Sequence, residues 1–158
     1  MAKRGFPFCG NFNFLVEIED LEGEPASVVG GFTEVSGLST ESPVLEYRVG
    51  SHPTAVKIPG RTTYGNVRLR KGVTTSSALW EWRRRIEAGE EDLRSGSIVL
   101  LDSAMRERAR WNFYGAWPCR YEAPLFDAES EGLSVETVEL CVERLERVDT
   151  PKAASGSA

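Results

Sequence analysis

RWNFYGAWPCRY, Arg110–Tyr121, sets five aromatic side chains within twelve residues. Read with the two-residue period of a strand, Trp111, Phe113, Gly115 and Trp117 face one way, and Arg110, Asn112, Tyr114 and Ala116 the other. A strand with one aromatic face either stacks a ligand or packs a core. Core packing is the commoner outcome, because large rings remove the most apolar surface from water when buried.

The flanking segments are also extended in pattern. Upstream, SIVLLD (97–102) is a short apolar strand; further back, NFNFLVEIE (11–19) alternates Phe12, Phe14, Val16 and Ile18 against Asn13, Glu17 and Glu19. SVVGGFTEVSGL (27–38) reads as a strand with a bulge or bend at Gly30-Gly31. VLEYRV (44–49), AVKIPG (55–60) and YGNVRLRKG (64–72) add three more, with a turn at Gly50–Thr54. The convincing helix is SSALWEWRRRIEAG (76–89): Ser76 or Ser77 serves as N-cap, Leu79, Trp82 and Ile86 share a face, and Gly89 ends it. APLFDAESEGL (123–133) is a loop, and SVETVELCVERLERV (134–148) fits a helix and a strand equally well. Many strands and one helix predict a mainly antiparallel β-barrel or sandwich.

The 158 residues suffice for one domain with a real core, expected over 1–148, followed by a mobile tail over 149–158. A net charge of −5 argues against a general binder of nucleic acid or anionic membranes. No apolar run approaches the roughly 20 residues of a membrane span, and MAKRGFPFCGNF lacks the apolar region of a secretion signal. Cys9, Cys119 and Cys141 have no CxxC spacing and read as reduced thiols.

The search for chemistry yields no catalytic set. GxSxG, HExxH and GxGxxG are absent, and with His52 the single histidine, neither a metal site nor a cofactor is expected. GRTTYGN (60–66) spaces its glycines like a P-loop, but Asn66-Val67 stands where Lys-Ser/Thr would hold phosphate. The charge layout says more. Residues 57–72 hold Lys57, Arg61, Arg68, Arg70 and Lys71 with no acid. Residues 127–146 hold seven acids against Arg144. Either these blocks pair within one subunit, or they are complementary patches that meet between copies, closing a ring or extending a filament.

FNFLVEIED, FTEVSGLSTE, EYRVG, KIPGRTTYGNVRLRKGVT, LWEWRRRIEAG, SIVLLD, RWNFYGAWPCRYEAP and VETVELCVERLERV follow one another in this order. Together they resemble the tail tube protein family of contractile phages and extracellular contractile injection systems, over about Asn11 to Val148. The chain departs from the family's common pattern at ESEGLS (129–134), where relatives often carry NATGNE.

The resemblance implies the tail-tube fold: an antiparallel β-barrel with one flanking helix and an extended hairpin loop. It implies a long strand for 134–148. It places Leu79, Trp82 and Ile86 of the helix inward, with Phe12, Phe14, Trp111, Phe113 and Trp117 in the core. It further implies that the subunit's partners are copies of itself, in six-membered rings stacked into a tube inside a sheath, and baseplate or tube-initiator proteins. The lumen would pass DNA or effector protein, and assembly would take place in the bacterial cytoplasm. The segment around 40–62 matches the loop that reaches the next ring, so Glu46, Tyr47, Arg48, His52, Lys57 and Arg61 are the expected stacking residues. A tube-initiator or baseplate adapter ring is the alternative within this architecture, and a monomeric β-barrel binding module the alternative outside it.

Overall fold

The computed structural model describes residues 13–21, 27–29, 32–73 and 76–149. Its elements are β1 (Phe14–Ile18), β2 (Ser27–Val29), β3 (Phe32–Ser36), β4 (Thr40–Glu41), β5 (Val44–Tyr47), β6 (Val56–Pro59), β7 (Thr63–Tyr64), β8 (Val67–Gly72), α1 (Ala78–Glu87), β9 (Arg94–Leu101), β10 (Glu107–Glu122), β11 (Val135–Cys141) and β12 (Arg144–Asp149). Eight strands form one antiparallel sheet, in the order β2-β1-β9-β10-β11-β8-β3, with β12 also on β10. Two small ladders, β4–β7 and β5–β6, stand apart from it. The segment 27–38 is thus not one strand: β2 pairs with β1 and β3 with β8, at opposite ends of the strand order.

β10 joins the two halves. Its first part lies between β9 and β12, and its last residues pair with β11. Around the junction β11 and β12 share one register against it, with Trp117 opposite Cys141 and Tyr114 opposite Arg144; past Pro118 the β10–β11 register shifts by one residue, to Arg120 opposite Glu139. Across the gap between them the Glu143 N–H donates to the Tyr114 carbonyl at 2.9 Å. Segment 134–148 is therefore one ribbon in two strands, resolving the helix-or-strand ambiguity in favour of strand.

Inside this ribbon the alternation slips by one residue. Phe113 is fully buried, but the next inward positions are Ala116 and Pro118, not Gly115 and Trp117. On the facing strand the inward side chains step from Leu140 and Val142 to Leu145, so both strands take the extra residue together. Gly115 makes the slip possible by adopting φ +62°, a conformation other residues resist. Strict period-two reading carried across such a bulge assigns the residues that follow to the wrong face, until the second register shift after Pro118 brings Tyr121 back against the core. Trp117 is accordingly half-buried rather than core. Trp111 does lie on the inward face, but in a shallow groove with Phe14, Ile98 and Leu100, and it too is half-buried. The Arg147 guanidinium covers its ring at 5.5 Å.

The core proper is Val16, Ile18, Val67, Leu69, Ile98, Phe113, Val138 and Leu140, with Leu79 and Trp82 from α1. Phe14 and Ile86 pack against it half-buried, and Phe12 lies outside the described residues. Phe113 sits opposite Gly96 of β9, and a Cβ on Gly96 would come within 2.4 Å of its ring. Helix α1 is pinned to β10 by Arg83, which donates to the Pro118 carbonyl at 3.2 Å, and by Trp80, which packs on Tyr121 with centroids 4.8 Å apart; the Trp82 indole N–H donates to the Asp92 carbonyl, in the connection to β9, at 2.9 Å. Ser77 occupies the N-cap position, but its hydroxyl bonds Glu81 instead of a backbone N–H. Gly89, at φ +82°, ends the helix, its N–H donating to Ile86 and that of Glu90 to Arg85. β12 continues through Asp149, opposite Ala109, one residue past the expected boundary; 150–158 lie outside the described residues.

Phe113→Ala is expected to lower the unfolding free energy by about 3–5 kcal/mol, the usual cost of emptying a buried aromatic site. Trp117→Ala, at a half-exposed position, should cost clearly less, and Gly115→Val should cost about 1–3 kcal/mol through its positive φ. Urea denaturation of the three variants checks the order; equal losses at Phe113 and Trp117 would contradict this account of the core.

Candidate assembly interface

The residues between β3 and β8 leave the barrel as an arm. Its root is the β4–β7 ladder, Thr40 opposite Tyr64 and Glu41 opposite Thr63. The Gly65 N–H donates to the Ser39 carbonyl at 3.0 Å, the Gly60 N–H to the Pro43 carbonyl at 2.6 Å, and the Ser42 and Thr62 hydroxyls meet at 2.8 Å. Beyond the root, β5 and β6 form a two-stranded hairpin in which all eight strand residues are exposed.

The register gives the hairpin two unlike faces. Leu45 opposite Ile58 and Tyr47 opposite Val56 make an apolar face, and Glu46 opposite Lys57 lies on the other. Tyr47 is 53% exposed and Leu45 43%. An isolated two-stranded hairpin is marginal in water, and an apolar face without a partner adds to that cost. The six expected stacking residues all lie on this arm: Glu46, Tyr47 and Lys57 in the hairpin, Arg48 and His52 in its connection, Arg61 on the return. All six side chains are exposed, and no ion pair among the described residues engages Arg48, Lys57 or Arg61.

The two charged blocks divide. Their β8 and β11 portions are strand neighbours, with Glu139 opposite Arg68 and Glu136 opposite Lys71. Arg68 pairs with Glu122 at 3.4 Å and Arg70 with Glu34 at 2.9 Å, while Asn66 donates to Glu139 at 2.8 Å. Lys71 and Glu136 are buried, Lys71 lying 5.9 Å from the Phe32 ring centre. These charges serve the subunit itself. The arm's cations, the acids of the 123–134 loop and Glu143 lie outside these contacts.

No group of three or more His, Cys, Asp or Glu among the described residues is placed to hold a metal. Cys119 and Cys141 are free thiols, and burial pushes the Cys119 thiol up. Tyr121 donates its hydroxyl to Glu136 at 2.8 Å; burial, and then this bond, push the phenol up to about 12.

Residues 10–146 match the family model described as T4-like virus tail tube protein gp19. The chain belongs to that family. Among solved structures it is similar to a chain of the PVC extracellular contractile injection system, from the sheath–tube complex in the extended state. The two are 27% identical with a TM-score of 0.80, over 91% of this chain and 93% of that one. A chain from the anti-feeding prophage cap is 27% identical with a TM-score of 0.81, over 95% and 96%. The Hcp1 protein from E. coli, 13% identical with a TM-score of 0.54, shares the fold alone, over 87% and 92%. No curated protein sequence matches.

Within this tail-tube fold, one exposed surface escaped the sequence reading: Leu125, Phe126 and Leu133 in the 123–134 loop. The available signal was Leu125-Phe126, two large apolar residues side by side in an otherwise acidic loop.

Tyr121 supplies a pH test of the barrel. Its folded value lies above the ordinary 10, so its contribution to stability is full below pH 10 and is lost as pH rises through about 12. The thermal midpoint should fall across that interval, and Tyr121→Phe should flatten the fall; a parallel decline in both proteins would contradict it.

Proposed function

We propose that the chain is the structural subunit of the inner tube of a contractile phage tail or phage-tail-like injection particle. Six copies form a ring, rings stack inside a contractile sheath, and the lumen passes DNA or a protein cargo. The observation that carries this reading is the arm: a hairpin exposed on both faces, projecting from a barrel that matches a chain of a sheath–tube complex over 91% of its length. A two-faced apolar and charged ribbon is built to be covered, and many copies of one weak contact around a ring hold a stack by multivalency. The remaining partners are the sheath subunit and baseplate or tube-initiator proteins, with assembly in the bacterial cytoplasm. The role is structural, not catalytic.

A second reading rests on the comparable likeness to a tube-terminating cap chain. In that role the subunit would make a single adapter ring, or cap a tube made by a relative. Electron microscopy of the purified protein separates the two: long tubes support the tube subunit, rings that never elongate support the adapter, and a monomer at all concentrations overturns both.

Reversing Arg48 and Lys57 to Glu is expected to leave the barrel folded and suppress long tubes. Residual elongation should depend steeply on salt, since exposed charges are screened over about 8 Å at physiological ionic strength. Wild-type tube lengths at every salt concentration would remove the arm from the stacking contact.

A further inference from the structure

Open-ended growth needs two different surfaces on each copy, one that projects and one that receives. The arm is the first. A second bare surface stands at the opposite end of the same strands. β8 starts at Val67, where the arm rejoins the barrel, and ends at Gly72; β11 runs antiparallel beside it, with Leu140 opposite Val67 and Val135 opposite Gly72. The arm therefore leaves from the Val67–Leu140 end. The 123–134 loop, which feeds into β11 at Val135, leaves from the other. At about 3.3 Å per residue these ends are roughly 17 Å apart.

The loop is as unusual as the arm. Leu125 is 88% exposed, Phe126 84% and Leu133 70%, with Val73 beside them through its N–H bond to the Ser134 carbonyl at 2.9 Å. A groove of about 1080 Å3 runs under the loop against the outer side of the sheet, and Arg70, Glu122, Pro124, Leu125 and Phe126 are among its walls. Residues 123–134 carry Asp127, Glu129 and Glu131 and no base. Residues 42–62 of the arm carry Arg48, Lys57 and Arg61 against Glu46 alone. Apolar surface and opposite charge thus recur at the two ends of one subunit, each bare on its own molecule.

We infer that the 123–134 loop and the groove beneath it are the receptor for the β5–β6 arm of a second copy of this chain. The arm enters the groove with its Leu45, Tyr47, Val56 and Ile58 face on Leu125 and Phe126, and its cations, on the hairpin's other face and its return, meet Asp127, Glu129 and Glu131 where the loop folds around it. The inference rests on the tube reading above and names the surface that the arm engages. Because donor and receptor sit at opposite ends, the contact is head-to-tail and repeats from ring to ring without closing. Apolar area supplies the attraction, and the unlike charges set direction and register.

The test uses two full-length variants. Lys57→Glu with Arg61→Glu makes an arm-reversed protein; Asp127→Lys with Glu129→Lys makes a loop-reversed one. Both change exposed side chains, so circular dichroism and melting should match wild type. Each alone is expected to form rings but lose long tubes. Mixed after ring formation, they should regain long tubes, because each arm then meets a loop of opposite charge. Phe126→Asp, which removes the apolar half of the contact, should lose tubes and regain no long tubes on mixing; with the arm-reversed protein, whose loop is intact, it should form pairs of rings at most. Long tubes from the loop-reversed protein alone, or a mixture that fails to elongate, overturn the inference while leaving the tube reading in place. A wild-type protein that never forms tubes overturns both.

Discussion

Phe113 lies where Gly96 leaves room for its ring, and two residues later Gly115 turns the same strand through a left-handed conformation. The rest of the barrel depends on this pair of glycines around one aromatic side chain. Gly96 lets β9 and β10 pair with a full ring between them and the opposite wall. Gly115 shifts the inward alternation by one residue just where β10 passes from its β9 and β12 neighbours to β11. The facing strand shifts with it at Val142–Glu143, so the cross-strand register survives and both halves present apolar side chains to one core. A residue with a Cβ at either glycine would have to displace neighbours or hold an unfavourable φ.

That closed core explains why the arm can be so exposed. The barrel gets its stability from Val16, Ile18, Val67, Leu69, Phe113, Val138 and Leu140, with α1 covering one side through Leu79 and Trp82. The arm contributes none of these. It is held only at its root, by a two-pair ladder and close contacts at Gly60 and Gly65. The free energy of covering its apolar face is therefore available to association instead of folding, and ordering it costs entropy that each new contact must offset. This division, a self-sufficient barrel and a dependent arm, is what a subunit needs if it is to fold before it polymerises.

The charges follow the same division. Arg68, Arg70, Glu34, Glu122 and Glu139 bond within the barrel's outer surface, and Lys71 and Glu136 are buried at one end of it. Exposed pairs of this kind add little to stability, but they consume charges that would otherwise attract a partner. The cations of the arm and the acids of the 123–134 loop stay outside that network, at opposite ends of β8 and β11. A contact between copies can then be directional without a large net charge on the subunit.

How much of this was legible in the residues themselves depends on the range of the interactions. Local alternation in FLVEI and VRLRKG located β1 and β8, and the spacing of Leu79, Trp82 and Gly89 located the helix with its end, because those patterns arise within one or two turns of chain. The arm's residues were implied by the family resemblance of 40–62, and turn chemistry at Gly50, Pro53 and Pro59-Gly60 suits such an excursion. Trp117 was misplaced because parity holds only until a bulge resets it, and the bulge at Gly115, which faces the Glu143 side chain between β11 and β12, leaves no mark in the local pattern; Trp111 keeps its inward face but lies in a shallow groove and is only half-buried. The split of 27–38 between two strand neighbours, and the break of 134–148 into β11 and β12, required knowing which strands lie alongside; the extended state of 134–148, open in the pattern, was implied by the family resemblance. The exposed loop at Leu125-Phe126 and its position opposite the arm likewise follow from the antiparallel register of β8 and β11, a pairing between residues more than sixty positions apart that no local pattern encodes.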